Sequence, residues 1–371
     1  MSTFAVKIQR ITIEDHPQAT ALQLARINDY RSCVKKGQYQ TGDLAVYIPE
    51  QSVLPDPLIE QLDLSGKLGG KEANRVSAVR LRGIVSQGIV YPLTKCHNQW
   101  QLYVPEGCSD RSGIFSVSEG EDVTELLGIT KFSPPIPPEL KGKIFNAGIE
   151  ACLKYDIENI KSHPNTLWEG EPVVMTEKVH GIWMQVAILP DDRVIVSSKE
   201  LAHKGLAFEL EGNDGNYYME VVNQYQIAEK VKAIYPRRNT PYIILGEVFG
   251  RKIQDLGYGA NTNQAEIGFR VFDVYLGERN RSRFLDDHEL EAECQKLKLE
   301  RVPVLYRGKF SNDILQYYTT GTETISGKGL HLREGVVVRP QIERETMELG
   351  RVILKSISDS YLLRKNGTEF R

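Results

Sequence analysis

Four prolines fall within KFSPPIPPELKGK, residues 131–143. Proline lacks an amide hydrogen and fixes φ, so neither a helix interior nor a central strand can run through this stretch. The stretch therefore marks a boundary, and 371 residues are enough for two domains, each with its own core. The chain reads as an N-terminal unit over 1–135, a linker over 136–165 and a C-terminal unit over 166–371.

The two sides carry different patterns. On the N-terminal side VKIQRITI alternates with period two, and GDLAVYIPEQSVLP reads as a turn, a buried strand and a proline-terminated exit. VSAVRLRGIVSQGIVYPL supplies two further strands around Gly83 and Gly88. Five or so short strands in ~100 residues suggest a small closed barrel, of the OB or SH3-like kind, with the OB-fold the more economical choice. The C-terminal side is a strand-dominated α+β pattern. PVVMTEKV, GIWMQVAIL and RVIVSS form one strand group, and PYIILGEVFG, FRVFDVYL, REGVVVRP and RVILKSIS follow. Val221, Tyr225, Ala228 and Val231 recur at helical spacing in NYYMEVVNQYQIAEKVKAIY. A second helix is expected over RFLDDHELEAECQKLKL, with Asp286 or Asp287 near its cap.

A formal net charge of -3 provides no global basic signature, so a nucleic-acid surface must be a local patch. One candidate is KLGGKEANRVSAVRLRG at 67–83, where Lys67, Lys71, Arg75, Arg80 and Arg82 surround a single acid, Glu72. Such a run is either a solvated edge or a phosphate-tracking surface. MSTFAVKIQRITIED has no cationic segment followed by an apolar one, so no signal peptide is expected, and no apolar run reaches the ~20 residues of a membrane span. The five cysteines, Cys33, Cys96, Cys108, Cys152 and Cys294, are odd in number and scattered. They read as reduced thiols of a cytoplasmic protein, and Cys96, His97 and Cys108 lack the paired spacing of a zinc site.

Five segments carry polar or aromatic residues on apolar strands: Lys178 in TEKVHG, Glu247 in ILGEVFG, Phe272 in FRVFDVY, Glu334 in REGVVVRP and Lys355 in RVILKSIS. A strand buried on both faces carries no Lys or Glu unless the charge is paired or functional. Together these residues suit nucleotidyl transfer. A lysine amine attacks the α-phosphorus of ATP, expels pyrophosphate and keeps AMP as a phosphoramidate. Its amine must be neutral, which a neighbouring cation promotes, whether a divalent metal or Lys355. Glu334, with Glu247, would hold that metal, Lys355 would meet the phosphate, and Phe272 offers a face for adenine. Gly181 and Gly246 allow close backbone approach. KLGG at 67–70 repeats the Lys-x-x-Gly spacing, but without such partners it reads as a chance match.

The ordered set resembles motifs I, III, IIIa, IV and V of the covalent nucleotidyltransferases, the polynucleotide ligases and capping enzymes. More closely, the chain resembles RNA ligase family 5, whose OB domain is similar to VKKGQYQTGDLAVYIPEQSVLP and RGIVSQGIVYPL. The resemblance implies a multidomain β-rich protein, an N-terminal OB-fold barrel plus a C-terminal α+β nucleotidyltransferase (ATP-grasp-like ligase) domain with antiparallel sheets. It implies Lys178 as the adenylated nucleophile, assisted by Lys355 and Glu334. Glu177, His180, Gly181, Lys199, Glu247 and Phe272 would contact the nucleotide, and Glu334 and Glu247 the metal, manganese or magnesium. The implied reaction is ATP-dependent joining of a 3′-OH to a 5′-phosphate, at nicks in RNA-containing duplexes, in RNA repair. It runs through lysyl-AMP and an AMP-capped 5′ end. RNA is the implied partner, with no membrane and no obligate protein partner.

Three positions depart from the family pattern. His180 stands where motif I commonly has aspartate, and its roles as metal neighbour, ribose contact or more remote hydrogen-bond donor stay open. Trp183 replaces a frequent arginine, so Lys199 is a candidate for part of ribose recognition. Ile357 replaces the second motif V lysine, leaving Lys355, with Arg351 as a candidate helper. A DNA ligase or capping-type enzyme, and a non-catalytic OB-domain RNA-binding protein, are the alternative readings.

Overall fold

The computed structural model describes residues 4–133, 135–250, 253–259, 267–276, 283–365 and 367. The first three residues, within the segment read as lacking a signal peptide, and Pro134 of the proline cluster lie outside that set. Two compact units emerge. One contains the described residues up to Ser133 together with Lys161–Pro164, and the other contains residues 135–160 and those from 165 onward.

In the N-terminal unit the strands are short and antiparallel. Lys7–Arg10 pairs with Leu44–Ile48, which pairs in turn with Ile89–Pro92. Thr12–Asp15, Leu22–Ile27 and Tyr30–Lys35 form a meander. Ile8, Val46, Ile48, Leu58, Leu102 and Leu127 are fully shielded in its main core. The stretch 76–93, read as two strands, forms three: Val79–Leu81, Ile84–Ser86 and Ile89–Pro92. The extra strand arises because Arg82 and Gly83 take φ of 45° and 86°, the left-handed pair that closes a two-residue hairpin.

The C-terminal unit is built on two sheets. Its labelled strands are β1 (Pro172–Lys178), β2 (Ile182–Ile188), β3 (Val194–Ser198), β4 (Tyr242–Gly250), β5 (Ile267–Leu276), β6 (Val304–Lys309), β7 (Gly335–Pro340) and β8 (Leu354–Ile357). Among the described residues the first sheet has seven strands, ordered Ile144–Asn146, Leu206–Phe208, β3, β2, β4, β5, Arg283–Phe284. The second has five, ordered Glu158–Asn159, β8, β7, β1, β6. All pairings are antiparallel except that of Glu158–Asn159 with β8.

Two expectations are corrected here. PVVMTEKV does not share a sheet with GIWMQVAIL and RVIVSS, because the chain changes sheets between Lys178 and Ile182. The 136–165 stretch is not a free linker either. Ile144–Asn146 and Glu158–Asn159 each join a sheet edge, while Lys161 donates to Gln87 in the N-terminal unit. The clustered prolines end at Pro138, where the chain makes one 3-10 turn over Pro138–Leu140, and the short strands beyond it need only one pairing edge each.

Helices cover the outer faces. The expected single helix over 216–235 is two, α1 (Tyr217–Tyr225) and α2 (Ile227–Ile234), separated by Gln226 with φ 50° and ψ 43°. Left-handed backbone at one residue ends a helix whatever the side-chain periodicity. Both still bury their apolar faces, Tyr218, Val221, Val222, Ile227, Ala228 and Val231, against Met184, Val186 and Ile244 of the seven-stranded sheet. Helix α3 (Asp287–Leu297) adds Leu290, Cys294 and Leu297 to that core. Helix α4 (Asn312–Thr319) covers the outer face of the five-stranded sheet, where Leu315 meets Val173, Met175, Val336 and Val338.

At the start of α3, Asp286 is the cap residue, its backbone N–H bonded to Glu289 Oε2 at 2.9 Å. Asp287 is instead buried between Arg301 (2.8 Å) and Arg307 (2.6 Å). Burial pushes its carboxyl up, but the hydrogen bonds and charges of the two arginines outweigh that and hold it below the usual range. A depressed carboxylate contributes stability that is present above its unfolded pKa of ~3.9 and lost as pH falls through the folded value. Asp287→Ala should cost about 3–5 kcal/mol at pH 7 by leaving Arg301 buried without its partner. Urea unfolding of both proteins should show the difference shrinking below about pH 4.

Candidate active site

Val179, His180 and Gly181 carry the chain from the end of β1 to the start of β2, and so from one sheet to the other. The glycine is required by space. A Cβ at Gly181 would lie 2.2 Å from the Val248 carbonyl oxygen and 2.9 Å from Glu247 Cγ. At that close approach the Gly181 amide donates to Glu247 Oε1 at 3.1 Å, while Gln254 Nε2 donates to the Gly181 carbonyl at 3.0 Å. Lys178 is the register partner of Gly335, where a Cβ would be 2.0 Å from the Ser356 carbonyl oxygen. Glu334, the residue before β7, thereby comes alongside the lysine, and Lys178 Nζ to Glu334 Oε1 is 2.7 Å.

Register decides which other side chains face this point. Thr176, Val337 and Lys355 are directly opposite one another across β1, β7 and β8, as are Lys178, Gly335 and Ile357. Residues directly opposite, and those two apart on one strand, share a face, so Lys178 and Lys355 do too. Their Cα atoms are separated by two strand spacings, about 10 Å, and by about 7 Å along the strands. On the other sheet Trp183 is the register partner of Glu247. Phe272 is the extra residue of a β-bulge, since Leu245 pairs with Asp273 and Gly246 with Val271. Trp183, Phe272 and Val337 meet in one apolar cluster with Tyr155, Ala187 and Leu245, which places the facing sides of both sheets in one crevice.

The electrostatics around Lys178 are sharply differentiated. Burial would raise Glu334, but the charge of Lys178 and the hydrogen bond from His180 outweigh it and bring the carboxyl to about 2. Glu247 is pushed up to about 7, chiefly by burial, against the charge of Lys178 and with that of Glu334 adding to the rise. The His180 ring is buried and held on both sides, Nε2 at 2.8 Å from Asp255 Oδ1 and Nδ1 at 2.9 Å from Tyr361 OH. Its Nδ1 is also 3.4 Å from Glu334 Oε2. Burial alone would lower the imidazole, and the hydrogen bonds to Asp255 and Glu334 reverse the direction.

Lys178, His180, Gly181, Glu247 and Glu334 are thus one contact network, with Phe272 and Lys355 on the two walls of its crevice. The remaining sequence candidates behave differently. Glu177 alternates with Lys178 and leaves the opposite face of β1, where its Oε2 accepts from the Thr324 amide (2.8 Å) and hydroxyl (2.6 Å). Lys199 is 2.8 Å from Asp156, a pairing that the sequence did not disclose. Arg351, the candidate helper of Lys355, has its guanidinium tied to Asp273 (2.7 Å) and to both oxygens of Glu343. In the N-terminal unit Lys67 turns back onto Asp63, and Arg75 stacks over Phe132 at 4.3 Å. Lys71, Arg80 and Arg82 are exposed, the last two on the Val79–Ser86 hairpin. Asp255, Tyr361, Tyr155 and Tyr258, whose hydroxyl accepts from the His180 amide at 2.6 Å, were missed, since each lies in a stretch with no local pattern and reaches the crevice only by folding.

Gly181→Ala should drive the new methyl into the Val248 carbonyl and force the crossing turn to shift. We expect a loss of about 1–3 kcal/mol in urea unfolding, the range of overpacked sites.

Comparison with known proteins agrees with this architecture. An RNA ligase family model matches residues 171–357, and an OB-fold domain model matches residues 5–93. Among solved structures, a lysine-to-alanine variant of Naegleria gruberi RNA ligase with ATP and Mn is similar at 23% identity. That match covers 97% of this chain and 98% of the other, with a TM-score of 0.72. A glutamate-to-alanine variant of the same ligase with AMP and Mn matches at 22% identity over 96% and 98% of the chains, TM-score 0.71. The ligase with pyrophosphate matches at 23% identity over 96% and 97%, TM-score 0.72. At these identities the structural likeness concerns the fold. The family match, however, spans half the chain and takes in both walls of the Lys178 crevice, and this chain belongs to the RNA ligase family.

Proposed function

We propose that this RNA ligase uses ATP to join 3′-OH and 5′-phosphate ends at nicks in RNA-containing duplexes, through a lysyl-AMP formed on Lys178. The observation that carries the reading is the Lys178–Glu334 ion pair, 2.7 Å long, beside Glu247 at the crossing of two sheets. Nucleophilic attack needs the free amine, so this pair describes a resting lysine that must give up its proton and its carboxylate partner. ATP entering the crevice would bring its α-phosphorus to Lys178 Nζ. The N–P bond forms, the bond to the pyrophosphate oxygen breaks, and pyrophosphate leaves. A 5′-phosphate oxygen then displaces the lysine, and a 3′-OH displaces AMP as the phosphodiester forms.

The residues divide the work by position. Lys355, on the same face as Lys178, would meet the nucleotide phosphate as a point charge. Phe272, aimed into the crevice by its bulge, would carry the adenine, a stacking contact worth ~1–3 kcal/mol. Gly181 leaves room for the ligand beside the backbone, and His180 fixes Glu334. Glu177 would contribute through its backbone, because its side chain faces Thr324. Lys199 would reach a ribose only by leaving Asp156. Glu334 and Glu247 would hold a divalent metal, manganese or magnesium: burial, with the charge of Glu334 adding to it, raises Glu247 to about 7, and a bound cation would favour its ionised form. When bound, that metal offsets charge developing on the phosphate. The Naegleria ligase structures with ATP, AMP, Mn and pyrophosphate support this choice of ligands.

The exposed Lys71, Arg80 and Arg82, with Lys67 and Arg75, supply a local positive surface that suits the phosphate backbone of a duplex. The reading places the enzyme in RNA repair in the cytoplasm.

Two experiments test these assignments. Incubation with α-labelled ATP and manganese, followed by denaturing electrophoresis, should label the wild type and Lys67→Ala but not Lys178→Ala. Label that persists in Lys178→Ala defeats the assignment, and a strand with deoxyribose at the 3′-OH should seal more slowly than one with ribose. Neutralising Lys71, Arg80 and Arg82 together should weaken nicked-duplex binding and flatten its log–log salt dependence by roughly two to three. An unchanged slope sinks the phosphate-tracking role.

A further inference from the structure

His180 is held by groups that play no part in the chemistry described above. Its Nε2 lies 2.8 Å from Asp255 Oδ1, and Asp255 is gripped in turn by Arg364, Nε to Oδ2 at 2.9 Å and a terminal nitrogen to Oδ1 at 3.3 Å. Its Nδ1 lies 2.9 Å from Tyr361 OH, and the two rings pack edge-on at 5.3 Å. Arg364 stacks on the Tyr361 ring at 3.5 Å, which closes the loop among the three groups. Tyr361 and Arg364 belong to, or follow, the short helix α5 (Asp359–Leu362), beyond the last strand. The helix is itself fastened beside Glu334, since the Ser358 amide donates to the Glu334 carbonyl at 2.8 Å and Ser358 Oγ to the Arg333 carbonyl at 2.9 Å. His180, Tyr361 and Glu334 are all buried.

We propose that Asp255, Tyr361 and Arg364 are positioning residues for the adenylylation step, acting through His180 on the Glu334–Lys178 pair. The inference rests on the reading of Lys178 as the nucleophile. Its physical content is a chain of restraints. Glu334 presents Oε1 to Lys178 and Oε2 to His180, so its carboxylate plane is fixed only while the imidazole is fixed. The imidazole has no room to turn while Asp255 and Tyr361 hold its two nitrogens. Asp255 and Tyr361 lie 75 and 181 residues away in the chain, so the last segment past β8 completes the mount of a lysine on β1. A reacting group misplaced by about 1 Å can lose two orders of magnitude in rate, which gives such a mount its importance.

The test separates forming lysyl-AMP from the later sealing step, in which Lys178 is not the nucleophile. Asp255→Asn, Tyr361→Phe and Arg364→Ala are compared with wild type in single-turnover adenylylation with α-labelled ATP, and in sealing a nick whose 5′ end already carries AMP. Asp255→Asn and Tyr361→Phe should slow adenylylation by about 10- to 100-fold at saturating ATP, with the KM for ATP changed less than about threefold. Sealing of the pre-adenylylated nick should fall by at least about tenfold less than adenylylation, and Asp255→Glu should recover part of the first step. Adenylylation at the wild-type rate in both Asp255→Asn and Tyr361→Phe overturns the inference. So does a parallel fall in both steps accompanied by a lower melting temperature, which marks a merely structural role. A wild type that forms no lysyl-AMP, or a Lys178→Ala protein that does, instead removes the functional reading on which the inference stands.

Discussion

The ion pair between Lys178 and Glu334 sits where the two sheets of the C-terminal unit exchange the chain, and much of the local geometry follows from housing it. A carboxylate buried as deeply as Glu334 is costly unless its charge is matched and its oxygens are bonded. Lys178 satisfies one oxygen and His180 stands beside the other. Bringing Glu334 that close requires β7 to run against both β1 and β8 at Gly335, where no side chain fits. Bringing Glu247 in from the other sheet requires the same of Gly181. The two glycines therefore mark the places where backbone must approach backbone so that three charged groups can converge.

That arrangement also bears on the role proposed for the lysine. A lysine paired with an ionised carboxylate is a poor nucleophile, and burial raises the neighbouring Glu247 carboxyl to about 7. The family match, the crevice walls bearing Phe272 and Lys355, and the exposed basic hairpin of the N-terminal unit form one coherent set of features for an RNA-joining enzyme. On the proposed reading they are chemically distinct, covalent transfer falling to the crevice and backbone tracking to the hairpin.

Much of this was legible in the chain. Lys178, Glu247, Phe272, Glu334 and Lys355 stood out because each interrupts an apolar strand, and a charge on a buried strand demands a reason. The same logic rejected KLGG at 67–70, whose lysine folds back onto Asp63. Errors arose where the deciding quantity is not local. Gln226 splits a helix that periodicity made continuous, because one left-handed residue outweighs any repeat of apolar side chains. Arg351, a candidate helper for Lys355, is held by Asp273 and Glu343, partners that its place in the sequence did not disclose. Glu177 neighbours Lys178 in sequence and so points the other way on the strand, where its side chain meets Thr324.

By itself, the sequence determined the two-unit organisation and the strand-borne set of polar residues, and it pointed to the chemistry that such a set would serve. Proline content and the cost of burying charge act on residue type alone, so they can be read without coordinates. Only the tertiary structure decided which sheet each strand joins, where the chain crosses between sheets, and that a histidine in the place of the usual aspartate is held between Asp255 and Tyr361. Those outcomes depend on register and on contacts between residues 75 or more apart in the chain. They are settled when the two sheets pack, because only then do the groups that must share a buried charge come within reach of one another.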